Sequence, residues 1–246
     1  MADSDVVVII PARMAATRLP NKPLADIGGV PMIVHVLRRA TEAAVGPVVV
    51  ATDSKDIAAA VERAGGRAAM TRADHPSGSD RLFETLGQID PAGRIEFVVN
   101  VQGDLPTLVP GDIGAALALL QDPAVAVGTL AAKLRPGEDD NPNVVKVFES
   151  GWVTSRDKSR ICACDFTRTY PQGRDAYHHI GLYTYRRAVL EAFVKLPQSP
   201  REKAEKLEQL RLIEAGHRID AAIVESVPLG VDTPEDLETA RRLLAR

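Results

Sequence analysis

Three cations, Arg13, Arg18 and Lys22, fall within the stretch "PARMAATRLPNKPL", directly after the apolar run "VVVII" (6–10). Two aspartates lie far from them in the chain, Asp104 in "NVQGD" and Asp232 in "GVDTPEDL". Cations of this kind, helped by the backbone N–H groups of residues 12–17, could neutralise a triphosphate. Magnesium takes one or two protein carboxylates and completes its shell with water and phosphate oxygens, which two such aspartates could satisfy. The residues alone leave a second reading open. The loop could be solvated, Asp104 a turn acid before Pro106, and Asp232 a cap or first-turn acid on a helix dipole.

The elements around these residues decide whether they can meet. "VVVII" (6–10) reads as a buried strand and "PMIVHVLRRATEA" (31–43) as a helix with Pro31 at its first position. "PVVVA" (47–51), "RAAM" (67–70) and "EFVVNVQ" (96–102) are further strands. Between them, "SKDIAAAVERA" (54–64), capped by Ser54, and "SGSDRLFETLGQI" (77–89) are helices. Strand and helix in alternation predict right-handed βαβ units and a mostly parallel sheet flanked by helices. In such sheets ligands sit beyond the carboxyl ends of the strands, the edge from which the loops of Arg13 and Asp104 emerge. The opening loop matches neither G-x-G-x-x-G nor G-x-x-x-x-G-K-[ST], which argues against a dinucleotide fold or a P-loop kinase.

After residue 122 the pattern loosens into "AVAVGTLAAKL", "NVVKVF", "AYHHIGLYTYRR" (176–187) and "RIDAAIV" (218–224), all strand-like. The third of these alternates as an antiparallel strand would, with His179, Gly181, Tyr183 and Tyr185 on one face. "REKAEKLEQLRLIEAG" (201–216) reads as one helix, with Glu205, Glu208 and Gln209 sharing a face. A last helix follows "DTPEDLETARRLL", capped by Thr233. The expectation is one domain over 1–246, with a smaller antiparallel sheet inserted at approximately 125–220.

Net charge is −3 over 246 residues, with 45% hydrophobic and 26% charged residues, so no basic field argues for nucleic acid or an anionic membrane. No apolar run approaches the ~20 residues of a spanning helix, and "MADSDVV" carries no basic leader, so a cytoplasmic protein is expected. Cys162 and Cys164, the only cysteines, are expected to be reduced thiols without a function.

"IPARMAATRLPNKPL" resembles the opening signature of the sugar-acid cytidylyltransferases, most closely the branch that acts on 3-deoxy-manno-octulosonate (KDO). "VATDSKDIAAAVE", "MTRADHPSGSDR", "VNVQGDLP", "NPNVVKV", "HHIGLYTYRR", "EKLEQLRLIEAG" and "GVDTPEDLETAR" follow in that family's order. The resemblance implies a Rossmann-like nucleotidyltransferase fold and transfer of CMP from CTP to the anomeric hydroxyl of KDO. It also implies Mg2+ on Asp104 and Asp232, and a homodimer formed through the smaller sheet. It assigns Arg13 and Lys22 to the phosphates and Arg18 to the loop or the departing pyrophosphate. Ala12, Met14, Ser79, Asp80 and Arg81 are placed against the nucleotide. Gln102, Arg168, His179, Tyr183, Glu208 and Gln209 are placed on the sugar acid. No histidine is assigned as general base.

The sequence departs from the family pattern in places. "FTRTYPQG" (166–173) is one residue short before Pro171 and lacks the aromatic that usually follows. Asn21 stands where glycine is common, and Leu105 and Asp80 where glutamate is frequent. The altered 166–173 segment keeps a related acceptor open, such as an 8-amino-KDO or a nonulosonic acid. A catalytically silent nucleotide-binding protein is the rival of another class.

Overall fold

Five β-branched residues in succession suit a strand buried on both faces. Residues 6–10 form such a strand, Val7 to Ile10 being no more than 1% exposed. The computed structural model describes residues 5–14, 18–154, 159–170 and 173–245. Residues 15–17 of the opening loop and 171–172 of the altered segment lie outside the described residues. The chain divides into two compact units, one built from the chain up to Gly114 with the segment from Pro228 onward, the other from Ala115–Val227.

In chain order the first unit contains β1 (Val6–Ala12), β2 (Asp26–Ile27), β3 (Val30–Pro31), α1 (Met32–Glu42), β4 (Val48–Thr52) and α2 (Lys55–Arg63). Then come β5 (Arg67–Met70), α3 (Gly78–Ile89), β6 (Phe97–Asn100) and the start of α4 (Pro110–Ala118). All three pairings, β5 with β4, β4 with β1 and β1 with β6, are parallel. The first three of these strands in the chain run outward from β1 to one edge, and the fourth returns to its other side. The order therefore reverses between β1 and β6, where loops diverge and leave a crevice at the carboxyl ends. The loops of Arg13 and Asp104 leave those two strands.

Local signals hold each helix. Ser54 caps α2 by accepting from Ile57 N–H at 3.4 Å, and Gly65 turns the chain out at φ 80°. Pro31 is the N-cap of α1, one position before the expected first turn. The β2–β3 hairpin was not anticipated. Its signal is Gly28-Gly29, both at positive φ (62° and 81°), as a two-residue turn of this type requires.

The second unit continues with β7 (Val127–Lys133), β8 (Lys146–Thr154), β9 (Arg160–Thr167) and β10 (Ala176–Arg186). It ends with α5 (Arg187–Phe193), α6 (Pro200–Glu205), α7 (Gln209–Glu214) and β11 (Ile219–Ile223); α8 (Pro234–Leu244) belongs to the first unit. β10 pairs antiparallel with β7 and with β8, β9 antiparallel with β8 and β11, and β11 parallel with β7. These pairings close on themselves, so the five strands form a ring. β7 lies between β10 and β11, so the apolar run "AVAVGTLAA" offers no unpaired strand edge there to a second chain. β9 was missed from the sequence because its "RICACDFT" was read only for its cysteines.

The expected helix over 201–216 is two helices. Lys206 takes a left-handed conformation (φ 56°) that ends α6, and α7 starts three residues later. The cause is the buried pair Glu202–Arg211, in which Arg211 Nε donates to Glu202 Oε2 at 2.7 Å. In a continuous helix, residues nine apart lie on opposite sides. The break lets them meet, and it dissolves the helix face that Glu205, Glu208 and Gln209 were expected to share. Among the described residues no helix is long and apolar enough to cross a membrane.

Candidate active site

The first unit places the opening loop by stiffening it. Asn21 adopts φ 57°, ψ 26°, a left-handed position that asparagine tolerates where glycine is common. A turn of 3₁₀ helix over Lys22–Leu24 follows, with Pro23 buried. The Lys22 ammonium then lies 2.7 Å from Asp104 Oδ2 and 2.9 Å from Asp232 Oδ1, and Arg18 Nη2 reaches Asp232 Oδ2 at 3.2 Å. Burial pulls the Lys22 pKa down, but Asp104 and Asp232 outweigh it and hold the ammonium above its ordinary value. Burial likewise raises Asp232, and Lys22 with Arg18 overcome it, leaving that carboxyl below the usual range.

Asp104 and Asp232 are therefore neither idle turn acid nor cap. The cap of α8 is Thr233, whose hydroxyl accepts from Asp236 N–H at 3.2 Å while Asp236 accepts from Thr233 N–H at 2.9 Å. Asp232 carries only a backbone role there, giving its N–H to Asp236 at 3.0 Å, so its carboxylate faces the cations. Asp104 is positioned by a backbone bond from Val231 N–H to its carbonyl at 3.0 Å, which ties the two aspartate segments together. Gly103 explains the tight approach of β1: a Cβ there would sit 2.9 Å from the Pro11 carbonyl oxygen.

A cleft of about 380 Å³ is lined by Arg13, Arg18, Lys22, Gln102, Asp104 and Asp232, with Ala12 on its wall. A neighbouring cleft of about 190 Å³ shares Ala12, Arg13 and Gln102 and adds His75, Ser77 and Arg81. Met14, Ser79 and Asp80 line neither cleft. Ser77 caps α3, accepting from Asp80 N–H at 3.3 Å, while Ser79 is buried in the first turn. The Ser77 hydroxyl donates to the Asp80 carboxylate at 2.6 Å. Asp53, which pairs with Arg81 at 3.5 Å, and His75, bonded to Glu84, were not singled out from the sequence. The signal for His75 was its place directly before the cap motif "PSGSDR".

The donor set suits a hard divalent cation. Two carboxylates converge on one positive centre, the Lys22 ammonium, so the spot already favours positive charge. Among the described residues no group of three or more His, Cys, Asp or Glu could hold a metal. A magnesium ion at Asp104 and Asp232 would complete its shell with water and phosphate oxygens.

The second unit holds the other sugar candidates. His179 is 7% exposed, with Nε2 3.0 Å from Thr129 Oγ1, and burial drives its pKa from 6.5 to about 3. Its ring meets Phe166 edge-on at 4.9 Å and Tyr183 at 5.5 Å, and Tyr183 stacks on Tyr185 at 5.9 Å. Of the face expected for His179, Gly181, Tyr183 and Tyr185, the three ringed residues keep alternate partners on β7, Ala131, Thr129 and Val127, while Gly181 falls in a register shift between Ile180 and Tyr183. The Thr129 hydroxyl fills the bulge, 2.7 Å from the Leu182 carbonyl oxygen. Burial pushes the Tyr183 phenol well above its ordinary pKa, with Tyr185 and Glu208 adding to it. His178 points elsewhere, its Nδ1 3.0 Å from Glu138. Gln209 is buried and its amide nitrogen has no partner among the described residues, while Glu208 is half-buried at the start of α7. Arg168 is engaged by the backbone, donating to the carbonyls of Glu205 at 3.0 Å and Pro142 at 3.2 Å.

A family model described as Cytidylyltransferase matches residues 7–219. The chain belongs to the cytidylyltransferase family. It is 61% identical, over its whole length, to a protein of Rhodopseudomonas palustris (strain BisA53) named 3-deoxy-manno-octulosonate cytidylyltransferase, 99% of which is covered. A protein of the same name from Bradyrhizobium sp. (strain ORS 278) is also 61% identical, with both chains covered in full. A solved CMP:2-keto-3-deoxy-manno-octonic acid synthetase complexed with CTP is similar in structure, with a TM-score of 0.87 at 42% identity. That match covers 98% of this chain and 99% of the other. The nucleotidyltransferase fold that the resemblance implied is thus the fold of this cytidylyltransferase.

Proposed function

We propose that this cytidylyltransferase transfers CMP from CTP to the anomeric hydroxyl of KDO and releases pyrophosphate. One observation carries the reading: Lys22, Asp104, Asp232 and Arg18 meet in a cleft at the switch point of the sheet, on a chain 61% identical end to end with relatives of that name. Such a transfer asks the protein for in-line positioning and charge neutralisation and for little covalent chemistry. Arg13 and Lys22 take phosphate oxygens; Lys22 has a third N–H beyond the two given to the aspartates. Arg18 stands on the side of the departing pyrophosphate. Asp104 and Asp232 hold Mg2+, which when bound supplies charge neutralisation at the phosphates and lowers the pKa of a coordinated hydroxyl. The sugar acid is assigned to Gln102, Arg168, His179, Tyr183, Glu208 and Gln209. The unpartnered amide nitrogen of Gln209 is a group that a sugar hydroxyl satisfies. The setting we propose is the cytoplasm, with a homodimer on the strength of the family resemblance and the product feeding lipopolysaccharide core synthesis.

Pyrophosphate release tests the reading. With Mg2+ and KDO, release from CTP should exceed that from UTP, ATP and GTP, and KDO should outrun 8-amino-KDO and nonulosonic acids. Faster release with another acid would reassign the acceptor. No release with any acid, while CTP still binds, would favour a silent nucleotide-binding protein.

A further inference from the structure

Lys146 in β8 is fully buried, at 0% exposure, and opposes Thr167 on β9 and His178 on β10. Among the described residues its side-chain nitrogen pairs with no carboxylate. It donates instead to two backbone carbonyls, those of Asn141 at 2.7 Å and Arg168 at 3.0 Å. Burying a lysine amine is costly, and an apolar residue would fill the position more cheaply if filling it were the only task. Arg168 answers the contact. Its Nη1 donates to the Pro142 carbonyl at 3.2 Å and its Nε to the Glu205 carbonyl at 3.0 Å, while its backbone N–H donates to the Glu205 carboxylate at 3.1 Å. Residues 141–142 and 168 are thus tied in both directions: the lysine bonds the arginine's backbone, and the arginine's side chain bonds the turn. The turn adds bonds of its own, from Asn143 N–H to Asn141 Oδ1 at 2.9 Å and from Val144 N–H to the Asn141 carbonyl at 3.1 Å. Arg168 Nη2 has no hydrogen-bond partner among the described residues, so both its hydrogens are free to meet a carboxylate.

We infer that Lys146 is a positioning residue for the acceptor. By fixing the Arg168 carbonyl together with the turn that the guanidinium bonds, it sets where Arg168 offers its remaining donors to the sugar acid. This rests on the assignment of Arg168 to the sugar acid under the function proposed above. The lysine acts through the arginine and needs no contact with the substrate. Its two donations are open to the ammonium and to the neutral amine alike, so the role does not depend on its charge.

Lys146→Met keeps most of the apolar stem and removes both donations. KM for KDO should rise about tenfold or more, while KM for CTP and the calorimetric affinity for CTP without acceptor stay within about twofold. Lys146→Gln, which keeps N–H donors on a shorter stem, should show the same split at smaller size, and decides the matter if Lys146→Met does not melt cooperatively. In an Arg168→Ala background, Lys146→Met should add little to the KDO loss, because the group it positions is already gone. Hydrogen exchange followed by NMR needs no acceptor. The Val144 amide should exchange about tenfold faster in Lys146→Met, since the carbonyl it bonds has lost its second donor. Three results would each overturn the proposal: a KDO loss that adds in full to that of Arg168→Ala, CTP and KDO requirements that rise together, or a lower Tm with KM for KDO unchanged. A wild-type protein that binds CTP but releases no pyrophosphate with KDO would sink the acceptor reading instead, and the exchange rate would still decide whether Lys146 holds the turn.

Discussion

The two units carry polar residues in opposite ways. In the first, the charged groups sit on loops at the carboxyl ends of parallel strands, half-exposed, and meet across long stretches of chain. In the second, His179, Tyr183 and Gln209 are packed into a closed ring of strands and its flanking helices, and burial dominates the titration of His179 and Tyr183. Loop carboxylates at a switch point can exchange partners with a ligand at little cost to the fold. Buried side chains in a ring cannot be altered without disturbing their neighbours. Substitutions in the first unit should therefore move turnover more than stability, and those in the second should move both.

The largest effect should come from Asp104→Asn and Asp232→Asn. Removing a carboxylate proposed to hold metal should cost about 3–4 kcal/mol in barrier height, a rate loss of hundreds-fold or more at saturating Mg2+, CTP and KDO. Considered without Lys22, two neighbouring carboxylates would repel, and either change could raise the melting temperature. With Lys22 between them, each change instead removes an ion pair. Half the Asp232 side chain is exposed, so the melting temperature should fall only slightly. Near-normal turnover in a stable mutant would take that aspartate out of the metal site.

Glu202→Gln probes the other unit. Its carboxylate and Arg211 are 5% and 10% exposed, and Arg211 also donates to the Phe193 and Leu196 carbonyls. Leaving the buried Arg211 without its counter-charge should cost about 3–5 kcal/mol, read as a lower urea midpoint at unchanged slope. A loss below 1 kcal/mol would mean that the Lys206 break is held by something other than this pair.

What could be read from the sequence follows the same division. Val6–Ile10, the Ser54 and Thr233 caps and the "NVQGD" turn are local signals, and the parallel sheet and its loop edge follow from them. Only the fold could bring Lys22 to both Asp104 and Asp232. In the second unit the informative feature is non-local. The Glu202–Arg211 pair breaks a helix that every local propensity favours, and the ring closure pairs β7 on both sides with strands distant in sequence. His75 escaped notice because its bond is to Glu84, one helical segment away.

His179 gives a pH dependence that its burial sets. Its pKa is about 3 in the folded chain against 6.5 unfolded, so between those values the unfolded state binds the additional proton. Stability is then fully present above about pH 6.5 and declines as pH falls toward 3, by at most about 1.4 kcal/mol per unit. His179→Asn, which cannot take up that proton, should flatten the decline between pH 6.5 and 4.5 in urea titrations. An equal slope in wild type and mutant would show that another group carries the acid sensitivity.

The smallest effect sets two adjacent residues against each other. Thr233 and Asp232 both stand at the start of α8, and a sequence reading can give either the capping role. The structure gives the cap to Thr233, through its bond from Asp236 N–H, and leaves the Asp232 carboxylate to Lys22 and Arg18. Thr233→Ala should therefore cost about 1 kcal/mol of stability, a fall of about 2–4 °C in Tm, because one helix N–H loses its acceptor. Asp236 still accepts from the backbone N–H of residues 232 and 233, so the segment that aims Asp232 keeps its course. Turnover at saturating substrate should then stay within about twofold of wild type, since a cap contributes nothing to charge at the phosphates. The converse pattern, a stable Thr233→Ala with turnover lost as in Asp232→Asn, would mean that the cap rather than the carboxylate organises the cleft.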